Sequence, residues 1–212
     1  GLADALLTDI ARTTDKPIRY LVNTHGHGDH IACNPAFRAR GAVIVGHERI
    51  QVPIRDGGPE VTYSERMTIQ DATRRAELHS LGGVHSPGDT VIWLPAERVA
   101  FSGDLFGWGM LPVVSLQPDT LRALRQVVDR LLGFGAQAYI TGHGPPARPE
   151  HIRRWLAYLD ELYEQVARLR RAGRGLAAIQ AAVPPPDDMR GWYGFDWKHP
   201  RNIALIFGGL PD

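Results

Sequence analysis

Three histidines and an aspartate fall within the six residues His25-Gly26-His27-Gly28-Asp29-His30. Burying three imidazoles and a carboxylate together is costly without a cation between them, so this run constrains the chain more than any other feature. Neutral imidazoles and a carboxylate are good ligands for zinc, and also for iron or manganese. His25 and His27 are two apart, so an extended segment points both side chains the same way. Asp29 and His30 follow a glycine bend and can face a second point nearby, so one loop could serve two adjacent cations. The two glycines argue against regular strand or helix through the run.

The flanking pattern places the cluster in an α/β context. Ile18-Arg19-Tyr20-Leu21-Val22 reads as a strand that ends at the cluster. Asn34-Pro35 reads as a helix start, with Asn as N-cap and Pro at the first helical position, and Ala42-Val43-Ile44-Val45 as a second buried strand. The cluster thus sits at a strand's carboxyl end, where open α/β sheets bind ligands. A helix is expected over 2–13 with Leu2, Leu6, Leu7 and Ile10 as its apolar residues. Residues 47–76 read as polar, with a turn at Gly57-Gly58-Pro59. Strands follow at 76–81, 90–94 and 99–102, the last two joined through Pro95-Ala96-Glu97-Arg98. The helical period then predicts a helix over 120–132 capped by Asp119, a long one over 149–171 and a short one over 175–183, with a strand at 138–140 between the first two.

Three further ligand candidates lie in glycine-flanked positions beside apolar strands: His85 in Gly82-Gly83-Val84-His85-Ser86-Pro87-Gly88-Asp89, Asp104 in Ser102-Gly103-Asp104, and His143 in Thr141-Gly142-His143-Gly144. His47, His79, His151 and His199 lack such a context and read as structural or surface residues; Asp9 and Asp89 read as capping or turn residues, and Cys33 as a small packing residue.

Taken in order, Thr24-His25-x-His27-x-Asp29-His30, the His85-Ser86-Pro87-Gly88-Asp89 segment, Ser102-Gly103-Asp104 and Gly142-His143-Gly144 resemble the metallo-β-lactamase superfamily. A lone His-x-His says little, but four ordered segments supplying seven ligands are specific, and they span more than half of the chain. The resemblance implies an α/β fold, the αββα sandwich with its metals at one edge, and two divalent metal ions, zinc first with iron or manganese as alternatives. By carry-over, His25, His27 and His85 hold the first ion, Asp29, His30 and His143 the second, and Asp104 bridges them. Asp104 stands where some true β-lactamases have cysteine, which resembles the dinuclear branches: glyoxalase II-like thioesterases, lactonases, phosphodiesterases and general hydrolases. The Pro87-Gly88-Asp89 turn matches the family's support for the His85 loop. One departure is Ile31-Ala32-Cys33-Asn34 after His30, where the family often has Gly-Gly.

The activity so implied is that of a metal-dependent hydrolase using a metal-bridging hydroxide on a small ester, thioester, lactone or amide, with Asp29 as ligand and proton handler. The alternatives are a phosphodiesterase or nuclease of the same superfamily, a β-lactamase, a mononuclear-iron oxidoreductase resembling persulfide dioxygenases, and a non-catalytic partner subunit. Phe106, Trp108 and Met110 follow Asp104 and could line a pocket; Trp192, Tyr193, Phe195 and Trp197 crowd the tail 187–212 and read either as a lid or pocket wall, or as a surface packed on the core or on a second subunit of a homodimer.

Composition narrows the partners. With 24 basic and 23 acidic side chains, the chain offers no global electrostatic case for nucleic acid or an anionic membrane. Arginines at 153, 154, 168, 170, 171 and 174 alternate with Asp160, Glu161 and Glu164, as on a solvated helix face. One cysteine rules out an internal disulfide and a thiolate-rich zinc site. No apolar run approaches the ~18 residues that span a bilayer. The length suits one domain over 1–212. The family's first half, however, ordinarily opens with several strands, and only 24 residues precede His25. The resemblance therefore leads to the expectation that those strands are missing from this chain and that a separate N-terminal segment of the same precursor completes the sandwich.

Overall fold

A computed structural model describes residues 1–52, 57–111 and 118–210. The chain divides into two units, Gly1–Ile92 and Trp93–Asp212, and each mixes helix and strand. The first holds α1 (Leu2–Thr13), β1 (Tyr20–Val22), α2 (Gly28–Ile31), α3 (Asn34–Arg38), β2 (Val43–His47), β3 (Val61–Tyr63), β4 (Arg66–Gln70) and β5 (Arg75–Ser80). β6 (Thr90–Leu94) contains the boundary. The second holds β7 (Val99–Gly103), α4 (Pro118–Gly133), β8 (Ala138–Thr141), α5 (Pro149–Arg171), α6 (Leu176–Ala182) and α7 (Phe195–Gly209).

In the first unit β1, β2 and β3 form a parallel sheet in that order, with Leu21 opposite Ile44 and Gly46 opposite Thr62. Leu7, Phe37, Ala42 and Ile44 make one core, against which Ile10, Leu21 and Cys33 pack, as a small thiol in an apolar neighbourhood should. The buried side of α1 is therefore Leu7 and Ile10; Leu2 and Leu6 are exposed, so the expected stripe is narrower than its apolar residues suggest. A second core gathers Val45, Tyr63 and Leu78, with Met67, Ile69 and Ala76 beside them. β4 and β5 form an antiparallel hairpin running from Arg66 opposite His79 to Gln70 opposite Arg75.

Three local expectations need correction. The 47–76 stretch contains β3 and β4, because Met67 and Ile69 alternate with exposed Arg66, Thr68 and Gln70 and cover one face of the hairpin. Residues 28–31 make a helical turn, with Ile31 N–H donating to His27 O at 3.2 Å and buried Ile31 holding the turn down. Asn34 lies inside α3, where Cys33 is the N-cap; its amide is buried instead against Asn23, with donation both ways at 2.8 and 3.0 Å, and reaches Gly57 O at 2.7 Å.

In the second unit β7 and β8 pair in parallel, Ala100 opposite Tyr139. Leu121, Leu124, Val128 and Leu131 form the buried side of α4. Asp119 is in its first turn and pairs with Arg122 at 2.7 Å. Ile152, Trp155, Leu159, Leu162 and Val166 repeat at helical spacing and are buried along α5. α7 lies against α5 and α6, with Ile203 and Ile206 buried. Arg154 of α5 ties down the 3-10 turn Asp187–Met189 through two bonds to Asp188, at 2.7 and 2.9 Å. No helix of the described residues is long and apolar enough to cross a membrane.

Candidate metal centre

The histidine run begins where β1 ends. Asn23 N–H donates to Val45 O at 2.9 Å, continuing the β1–β2 ladder, and Thr24 O accepts from Thr90 N–H at 2.7 Å. Gly26 is required by space, since a Cβ there would stand 2.1 Å from Gln51 O. The backbone therefore passes close under residue 51 and turns back, delivering His25 into the interior and His27 to the start of α2.

Three imidazoles of this unit converge. The ring centroids of His25 and His27 are 4.7 Å apart, those of His25 and His85 4.8 Å, and those of His27 and His85 4.7 Å. His27 Nδ1 lies 3.1 Å from His25 Nε2 and 3.1 Å from His85 Nε2. A ring nitrogen has one lone pair or one proton and cannot satisfy two facing nitrogens with linear hydrogen bonds. Three such nitrogens on one point suit a cation, and four-coordinate zinc with bonds of about 2.0–2.1 Å would separate its nitrogens by roughly 3.3 Å. This donor set fits the group it is expected to hold, and it is capable of binding metal. Thr24 Oγ1 lies 3.1 Å from His25 Nδ1 and orients the ring. His30 lies beside His25, with centroids 4.0 Å apart, and its Nε2 is 3.5 Å from Asp29 Oδ2.

The His85 loop is held by Asp89. That buried carboxylate accepts the N–H of His85 at 2.8 Å, the N–H of Ser86 at 2.9 and 3.0 Å, and the Ser86 hydroxyl at 2.7 Å. A Cβ at Gly88 would meet Ile50 N at 2.9 Å, so the Pro-Gly-Asp turn needs its glycine.

In the second unit Asp104 follows β7 and His143 follows β8, and the parallel pairing makes these strand ends neighbours. His143 Nε2 lies 3.4 Å from Asp104 Oδ2. Gly142 N–H donates to Gly103 O at 2.9 Å, and Thr141 Oγ1 donates to His143 O at 2.8 Å. Gly144 has φ +93, and a Cβ there would stand 2.0 Å from Trp108 O, so the residue after His143 is pressed against the segment after Asp104.

The four remaining histidines each have a structural partner. His47 Nε2 is 2.6 Å from Ser64 O, and His79 Nε2 is 3.1 Å from Glu77 Oε2. His151 Nδ1 accepts Arg148 N–H at 3.2 Å at the start of α5, and its ring stacks flat on Trp108 at 4.1 Å. His199 lies between Tyr158 and Val183 O. Among the aromatic pocket candidates, Phe106 is fully buried edge-on to Trp155; it follows buried Leu105 into the core and is not a wall residue. Trp108 meets Trp192 at 4.5 Å, and Tyr193 is exposed.

Residues 3–143 match the family described as the metallo-beta-lactamase superfamily. The 2,4-dinitroanisole O-demethylase subunit alpha of Nocardioides sp. (strain JS1661) is 29% identical over 136 residues, 60% of this chain. The match spans only 41% of that relative's length. A metallo-beta-lactamase from Pontibacter korlensis superposes with a TM-score of 0.62 at 24% identity, over 74% of this chain and 76% of its own. The stereoselective inverting sec-alkylsulfatase from Pseudomonas sp. gives 0.69 at 15%, over 96% and 43%. A metallo-beta-lactamase family protein from Thermus thermophilus gives 0.66 at 16%, over 97% and 80%. These likenesses establish the fold class expected from the motifs.

Proposed function

The chain belongs to the metallo-beta-lactamase superfamily, and on that premise we propose that it is a metal-dependent hydrolase of a small ester, thioester, lactone or amide. The observation that carries this reading is the triangle of His25, His27 and His85 nitrogens aimed at one point. The order of the four motifs supports the rest of the ligand set: Asp104 and His143 joining the histidine loop, with Asp29, His30 and His143 around a second cation and Asp104 shared. Two zinc ions are the proposed occupants. Bound there, they would supply an acidified water as nucleophile and Lewis acidity at the electrophilic oxygen.

The chain's own residues then have defined tasks. Thr24 fixes the ring of His25, and Asp89 fixes the loop of His85. Asp29 is solvent-exposed and is the carboxylate proposed to accept the nucleophile's proton. Trp108 and Trp192 form the proposed apolar wall. Metal-loaded protein assayed on a panel of thioester, lactone, β-lactam, alkyl sulfate and phosphodiester substrates tests the reading. Turnover of an acyl substrate that Asp104→Ala abolishes is expected, and turnover of phosphodiesters alone would replace it with the phosphodiesterase alternative.

A second reading is supported by the Nocardioides relative, whose name gives an O-demethylase and a subunit. Cleavage of an aromatic methyl ether in company with another chain would show as methanol release from a nitroanisole added to the same panel.

A further inference from the structure

Lys198 has an ammonium in an unusual place. The residue is only 7% exposed, and its Nζ lies 4.9 Å from the Tyr193 ring centroid and 5.3 Å from that of Trp197. Among the described residues no carboxylate pairs with it. Lysines are almost never buried without a partner, and contact with two rings recovers only part of the lost hydration. Its stem is also fixed. Gly194 has φ +81, a Cβ there would stand 2.4 Å from Lys198 Cδ, and Lys198 N–H donates to Gly194 O at 2.7 Å. Burial holds the ammonium below the ordinary lysine value.

The two rings stand perpendicular, 6.2 Å apart, and remain open to solvent, Tyr193 at 65% and Trp197 at 49% exposure. The platform is built onto the segment that follows Asp104. Tyr193 N–H donates to Gly109 O at 2.9 Å, and Leu111 N–H donates to Tyr193 O at 3.2 Å. That same segment is pressed against Gly144, beside His143.

We propose that Lys198, framed by Tyr193 and Trp197, recognises the carboxylate of a small aromatic substrate. The carboxylate supplies the anion that the fold withholds from the ammonium, and the substrate ring stacks on one of the two exposed rings and meets the other edge-on. The site deepens the hydrolase reading and rests on it only in treating the bound acid as a substrate.

Benzoate and its neutral counterpart benzamide, titrated into the metal-loaded protein and followed by tryptophan fluorescence and calorimetry, test the proposal. Wild type is expected to prefer benzoate by roughly tenfold. Lys198→Met and Lys198→Gln are expected to erase that preference. Trp197→Leu is expected to weaken both ligands while keeping it. Equal affinity for the two ligands in the wild type would overturn the site whatever the variants do. A preference that survives loss of the lysine would also overturn it, placing the carboxylate elsewhere. Loss of the preference on removing Lys198, in a protein that turns over nothing in the hydrolysis panel, would uphold the anion site while defeating the hydrolase reading.

Discussion

Asp89 accepts the backbone N–H of His85 through Oδ2 at 2.8 Å. A buried carboxylate that takes three donors, the N–H of His85 and the N–H and hydroxyl of Ser86, makes the position of the imidazole depend on a residue outside the proposed ligand set. The relationship separates the residues that would bind a cation from those that keep them in place, and the two kinds fail differently.

Asp89→Ala is expected to lower affinity for the first cation by about 10–100-fold, the usual effect of losing a group that orients a ligand. It should also cost stability on the order of 2–3 kcal/mol, because Ser86 and His85 lose a charged acceptor. Chelator competition and denaturant melts measure the two. Unchanged metal affinity would show that the His85 loop holds itself.

Gly144→Ala is expected to disturb His143 more than the fold as a whole. The positive φ and the 2.0 Å approach to Trp108 O leave no space for a methyl group. Metal stoichiometry should fall toward one per chain and hydrolysis should fall at least tenfold, while the far-ultraviolet circular dichroism is retained. Full occupancy would contradict the tight passage.

His199 gives a pH dependence of its own. Burial pushes its imidazole below 6.5, opposed in part by the bond to Val183 O. Tyr158, whose phenol burial pushes up to about 12, donates to Nδ1 at 3.0 Å, and Nε2 donates to Val183 O at 2.9 Å. The neutral ring is the folded form, so its stabilisation is fully present above pH 6.5. It is lost as pH falls below 6.5, where the unfolded chain binds the proton first, at up to about 1.4 kcal/mol per pH unit. His199→Gln should flatten that part of the stability curve; parallel curves for the two proteins between pH 6.5 and 5 would refute the assignment.

The convergence of His25, His27 and His85 is legible in the sequence because candidate-ligand spacing is a local property: glycines and strand ends tell these three apart from His47 and His151. Asp89 reads locally as a turn residue, and the family resemblance is what points to its support of the His85 loop, four residues away. Asn34 was not, since its N-cap chemistry is local but its partner Asn23 is reached only through the β1–β2–α3 arrangement. β4 was hidden because just two of its five side chains turn inward. Phe106 and Lys198 show the same limit from opposite sides: an aromatic two residues after a candidate ligand is core, and a lysine in an aromatic run is a buried cation.

Whether this chain holds two divalent cations is tested most directly by its metal content per chain, measured by mass spectrometry. Close to two equivalents of zinc are expected in the wild type, falling to about one in His27→Ala. A single iron per chain with oxygen consumption, or no bound metal after reconstitution, would contradict the two-cation centre.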